Sequence, residues 1–82
     1  MQEYIATFFS HFGALRFQKL CADKEWQAEV RPVPRSLSSS CGTCVFFSTE
    51  RLDTIDDLVT PELEQVVAVQ DSAYLTIWHA ED

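Results

Sequence analysis

Tyr4-Ile5-Ala6-Thr7-Phe8-Phe9-Ser10-His11-Phe12-Gly13-Ala14 is the stretch that decides the fold. Its first part, from Glu3 to Phe9, is rich in aromatic and β-branched residues and reads as a strand. Ser10 then reads as an N-cap, since its hydroxyl can accept from the amide of Phe12 or Gly13. A helix follows from His11 to Lys24. Ala14, Phe17 and Cys21 share one face with Leu20 nearby, and Phe12 and Leu15 widen the apolar stripe. A strand that feeds a helix directly predicts a crossover to a parallel strand.

The next segments fit that expectation. Trp26 to Val33 alternates Trp26, Ala28 and Val30 against Gln27, Glu29 and Arg31, as a half-buried strand does. Pro32 and Pro34 cannot donate to a ladder, so this strand belongs at an edge or ends there. Residues 34–42 form a loop by composition. Thr43 to Ser48 is a third strand. Thr49 can cap a short helix over 50–59, with Leu52, Ile55 and Leu58 or Val59 facing inward. Thr60-Pro61-Glu62 has the form of a helix start. Val66-Val67-Ala68-Val69 and the turn-like Asp71-Ser72 favour a terminal hairpin instead. The pattern predicts an α+β, ferredoxin-like βαββαβ sandwich with an extra C-terminal strand.

The chain has 82 residues, enough for one domain over 1–82. A chain this short removes only about 60–65% of its unfolded surface from water, so an apolar cluster can double as a docking face. Hydrophobic residues make up 46% and charged residues 23%, which is globular rather than disordered composition. The formal charge is −7, and an acidic surface repels phosphate backbones, so no nucleic-acid partner is expected. The longest apolar run, Cys44-Val45-Phe46-Phe47, is far short of a membrane span, and no membrane partner is expected. Met1-Gln2-Glu3-Tyr4 lacks the basic region of a secretory signal, which points to a cytoplasmic location. Residues 1–49 carry five basic and four acidic groups, whereas residues 50–82 carry one and nine. Anion-handling chemistry is therefore expected in the first part, and the second reads as a solvated face or a surface for a basic partner.

The chemistry-bearing segment is Pro32-Val33-Pro34-Arg35 followed by Ser38-Ser39-Ser40-Cys41-Gly42-Thr43-Cys44. A loop cysteine is reachable, and its thiolate attacks sulfur or selenium electrophiles. Gly42 removes a neighbouring side chain and permits positive φ. Arg35 supplies a permanent cation that can favour the thiolate. With the first two strands parallel, the start of the helix lies at the same end of the sheet as this loop. That brings Ser10, His11 and unpaired helix amides toward Cys41. His11 could shuttle a proton near neutral pH.

These residues also carry a resemblance. The stretch from Tyr4 to Ala14, then Pro32-Val33-Pro34-Arg35, then Ser39-Ser40-Cys41-Gly42, resembles the small bacterial family of selenium/sulfur carrier-like proteins, DUF3343. The resemblance covers roughly residues 3–47. It implies a carrier that holds sulfur or selenium on Cys41, more a relay than a turnover enzyme; no cofactor is expected. It also implies donor and acceptor proteins as partners. Arg35, Ser10, His11, Ser39, Ser40 and Gly42 are the residues expected to stabilise the anion.

Each residue has a blander reading. Cys44 is either a resolving or relay thiol for Cys41 or a small packing residue, because residues three apart on a strand point to opposite faces. Cys21 reads as packing. His11 can act only as a cap, Arg35 as a loop anchor, and the serines as loop filler. His79 reads as solvated, and Trp26 and Trp78 as sheet packing. Three cysteines and two histidines with one Cys-x-x-Cys do not make a structural zinc site, so no metal is expected. The alternatives to a carrier are a thiol–disulfide redox protein using Cys41 and Cys44, and a non-catalytic interaction module. In the last, edge strands and acidic residues such as Glu62, Glu64 and Asp71 would do the binding. Pairing of sheets or edges into a homodimer is a further expectation.

Overall fold

A computed structural model describes residues 1–50, 52 and 55–81 of the chain. The strands are β1 (Gln2–Phe8), β2 (Gln27–Pro32), β3 (Thr43–Thr49), β4 (Leu63–Gln70) and β5 (Ala73–His79). The helix α1 (His11–Asp23) follows β1, and a 3-10 turn (Asp56–Leu58) precedes β4. The sheet order is β2-β3-β1-β4-β5, and every neighbouring pair is antiparallel. Since β1 and β2 each oppose β3, they are parallel to one another across it. The first four strands thus have the ferredoxin-like order, and β5 is the extra strand at one edge. β2, with Pro32, is the other edge. No helix among the described residues is long and apolar enough to cross a membrane.

Local chemistry explains the ends of α1. Ser10 is extended at φ −142° and ψ 154°, and its Oγ accepts from the amide of Gly13 at 3.1 Å. A Cβ on Gly13 would collide with the Cβ of Glu62, so glycine lets the helix start approach the chain entering β4. At the other end Glu25 is left-handed, at φ 61°. The Trp26 amide donates to the Cys21 carbonyl at 2.9 Å and the Glu25 amide to Ala22 at 3.0 Å, which closes the helix in a Schellman motif.

The helix lies over β1, β2 and β3. Between helix and sheet are Ala6, Phe8, Ala14, Phe17, Cys21, Val45, Phe47, Leu58, Leu63 and Val66, all buried. Phe17 meets the rings of Phe8 and Phe47 with centroids 5.2 Å away in each case. Trp26 and Trp78 pack at the margin of this cluster, and Cys21 is fully buried in it, as packing residues. Phe12 and Leu15 lie outside it and are exposed, so the stripe that faces the sheet is narrower than the sequence suggests. On the opposite face Ile5, Cys44 and Val67 are buried beneath Val33, Leu37, Phe46, Val69 and Tyr74.

One expected element changes. The helix expected over 50–59 is replaced, among the described residues, by the single 3-10 turn Asp56–Leu58; residues 51, 53 and 54 lie outside the description. Leu52, Ile55 and Leu58 recur every three residues, the period of a 3-10 turn rather than the 3.6 of an α-helix. All three still pack inward, with Leu58 fully buried. The terminal hairpin forms as expected. Asp71 and Ser72 both take positive φ, 46° and 69°, which is the two-residue turn whose twist matches antiparallel strands.

Candidate functional site

The parallel relation of β1 and β2 sets the site. The last residues of β1 and β2, the first residues of α1 and the first residue of β3 meet at one end of the sheet. His11, exposed on the first turn of α1, places Nδ1 3.2 Å from the Thr43 hydroxyl at the start of β3. The Val33 amide donates to the Gly42 carbonyl at 3.1 Å and closes the neck of the loop between β2 and β3.

That loop wraps the end of the sheet. Val33 and Leu37 pack on the face away from the helix. The Ser38 carbonyl accepts from the Gln65 side chain at 2.9 Å, so the chain has by then reached β4. Cys41 emerges on the other side, half-buried against the margin of the helix-side core. Its thiol donates to the Thr43 carbonyl at 3.5 Å. Gly42 follows at φ 76°, exposed, and a Cβ there would meet nothing within 4 Å. The left-handed backbone, and not crowding, favours glycine here.

Cys44 has different surroundings. It is fully buried in the other cluster, with its thiol toward the Pro32 carbonyl at 3.7 Å. Burial pushes its pKa from the ordinary 9.0 up to about 11; Arg31, opposite it on β2, pulls the other way, and Cys41 adds to the rise. Burial likewise pushes Cys21 up to about 12, against the pull of Lys24. All three cysteines are free.

The other expected site residues divide. Ser10, His11, Ser40 and Gly42 gather at the Cys41 end. Ser10 is occupied in capping α1. Ser39 has its hydroxyl buried, with no hydrogen-bond partner among the described residues. Arg35 is exposed, in the turn where the Leu37 amide donates to the Pro34 carbonyl at 3.0 Å, and it makes no ion pair or hydrogen bond among the described residues. His79 is exposed at the end of β5. No three His, Cys, Asp or Glu side chains group as metal ligands among the described residues.

Sequence reasoning missed the groups that anchor the loop. Glu64 reads in the sequence as one more acidic surface residue. In the structure its carboxylate accepts from the Ser40 amide at 3.2 Å, the Ser40 hydroxyl at 2.7 Å and the buried Thr7 hydroxyl at 3.1 Å. Only the β1–β4 register, which pairs Thr7 with Gln65, places it there. The alternation of β2 makes Arg31 an outward strand residue. It also bonds Glu29 at 2.7 Å and covers the Phe46 ring at 4.6 Å.

Fold and site together define a small α+β protein with a half-open thiol on a wrapped loop at the start of its helix. The family model described as "Putative Se/S carrier protein-like" matches residues 3–68, and the chain belongs to that family. The match runs beyond the resemblance over 3–47, through the 3-10 turn and most of β4, and stops before β5. Comparison with curated proteins gives no match, and comparison with solved structures gives none.

Proposed function

We propose that this protein carries sulfur or selenium on Cys41 between donor and acceptor proteins. The observation that supports the reading best is the setting of Cys41: half-open, beside an exposed left-handed Gly42, at the end of the sheet where α1 begins. The Cys41 thiolate attacks the outer sulfur of a donor persulfide, R–S–SH. The donor S–S bond breaks, R–S⁻ leaves with the bonding pair, and Cys41–S–SH forms with the proton still on the outer sulfur. A donor perselenide, R–S–SeH, reacts in the same way: its S–Se bond breaks, R–S⁻ leaves, and Cys41–S–SeH forms. An acceptor thiolate then takes the outer atom and returns Cys41 as thiolate.

Several groups stand at this end of the sheet, where the outer atom is exchanged. The first amides of α1 have no carbonyl partner within the helix, and its positive end faces the site. Arg35, exposed on the same loop, can approach a docked partner's anion. His11 is positioned on Thr43 to exchange a proton near the outer atom.

Incubation with a donor persulfide and weighing of the intact protein tests this. The expected product is the chain plus one sulfur, absent in Cys41→Ser and retained in Cys44→Ser. A wild-type protein that takes no sulfur from small-molecule or protein persulfides, or takes it equally well in Cys41→Ser, contradicts the proposal.

A further inference from the structure

We infer that Glu64 is a positioning residue that latches the Cys41 loop to the sheet, so that a donor protein meets the sulfur in one fixed place. The inference rests on the carrier reading for its purpose and on geometry for its substance. Glu64 sits on β4, near none of the three cysteines in sequence, yet both of its carboxylate oxygens are engaged by the residue preceding Cys41. Oε1 accepts from the Ser40 amide at 3.2 Å, and Oε2 accepts from the Ser40 hydroxyl at 2.7 Å. The two bonds form a fork, which fixes direction as well as distance. Oε1 also accepts from the Thr7 hydroxyl at 3.1 Å, and Thr7 is fully buried in β1. The carboxylate is therefore held from below by the central strand and holds the loop above it. Gln65, next in sequence, holds the Ser38 carbonyl at 2.9 Å.

The loop needs such a hold. Among the described residues Gly42 is tied only through its carbonyl, to the Val33 amide at 3.1 Å, and nothing packs where its Cβ would be. The Cys41 thiol itself makes one long bond, to Thr43. With Ser40 fixed on one side and Thr43 fixed by β3 and His11 on the other, the sulfur is confined between two anchors. Transfer between two proteins requires the attacking sulfur in line with the donor S–S bond. A displacement of about 1 Å in such a step can cost on the order of a hundred-fold in rate. A small alkylating reagent diffuses to the thiol from any direction and has no such requirement.

Three variants separate the possibilities. Glu64→Ala removes the latch. Glu64→Gln keeps its shape, since the amide oxygen accepts from Ser40 N–H and Thr7, and the amide nitrogen donates to the Ser40 hydroxyl. Ser40→Ala leaves the sheet untouched and removes one of the three bonds. Amide hydrogen exchange at Ser40 should be protected in the wild type and in Glu64→Gln, and roughly ten-fold faster or more in Glu64→Ala. Sulfur transfer from a protein persulfide should slow about ten-fold or more in Glu64→Ala, less in Ser40→Ala, and recover in Glu64→Gln. Iodoacetamide should label Cys41 in Glu64→Ala at least as fast as in the wild type.

Wild-type transfer and exchange in Glu64→Ala overturn the inference, and so does a Glu64→Gln as slow as Glu64→Ala. Should Glu64→Ala fail to fold, Ser40→Ala decides the matter: unchanged transfer and unchanged amide exchange there overturn it. If Ser40 exchange responds as stated but Cys41 never takes sulfur in any variant, the latch stands and the carrier reading falls.

Discussion

The loop that carries Cys41 and the strand that carries Cys44 are joined by only Gly42 and Thr43, yet they place their sulfurs in two different media. Cys44 enters β3 with its side chain on the face that Val33 and Leu37 cover, and it is fully buried there. Cys41 lies just before the strand begins, across the sheet, at the margin of the helix-side core and half-open. A Cys-x-x-Cys on a helix brings two thiols to one face. Here the spacing straddles a left-handed glycine and a strand start, and the two thiols pack against different clusters. The difference teaches that this spacing has no fixed meaning until the element beneath it is known.

Charge at the two positions should give the largest contrast. Cys44→Asp should destabilise the fold by about 2–3 kcal/mol, because it buries a carboxyl whose facing cation, Arg31 on β2, is already bonded to Glu29. Cys41→Asp should cost about 1 kcal/mol or less, since that side chain can reach water. Urea unfolding measures both, and equal losses would break the comparison.

Alkali should come next. In the folded state burial raises the Cys44 thiol from 9.0 to about 11 and the Cys21 thiol to about 12. The unfolded chain therefore loses these protons first as pH rises. The stability the buried thiols contribute is fully present below pH 9 and is lost as pH climbs toward 11 and beyond. Unfolding free energy measured from pH 8 to 11 should fall, and the fall should lessen in Cys44→Ala relative to its own value at pH 8. A wild-type curve flat across that range contradicts the assignment.

The two glycines sharpen the same contrast between crowded and open settings. Gly13→Ala should cost about 1–3 kcal/mol, because the new methyl meets Glu62 and the helix start must shift. Gly42→Ala has room and suffers only the left-handed backbone, about 1–2 kcal/mol. Thermal unfolding ranks them. A Gly42→Ala that is neutral would mean the loop is free to adopt another path.

The smallest effect should be a gain. Ser72→Gly relieves a left-handed residue in the β4–β5 turn and should stabilise by about 1 kcal/mol, read as a raised midpoint in urea.

The contrast also explains what the sequence disclosed. The first half was legible because its signals are local: the aromatic and β-branched run of β1, the Ser10 cap, the alternation of β2 and the prolines at its end. The β-branched run and Asp71-Ser72 likewise declared the hairpin. The stretch over 50–59 misled because Leu52, Ile55 and Leu58 satisfy an inward-facing pattern in either a 3-10 turn or an α-helix. At the site, Cys41, Gly42 and the approach of His11 were legible from loop composition and the parallel pair. Glu64 was not. Its bonds to Ser40 and Thr7 span 24 and 57 residues, and only strand register brings them together. The burial of Cys44 beneath Val33 and Leu37 was equally hidden, because loop composition does not reveal which face a loop covers.

Of the three thiols, Cys21 and Cys44 are buried and Cys41 alone reaches the surface. Labelling the folded protein with a limiting amount of iodoacetamide near neutral pH, followed by peptide mapping, tests it directly. Label should appear on Cys41, with Cys21 and Cys44 protected until denaturant is added. Label on Cys44 or Cys21 at a comparable rate, or a Cys41 that stays unlabelled until the chain unfolds, would contradict it.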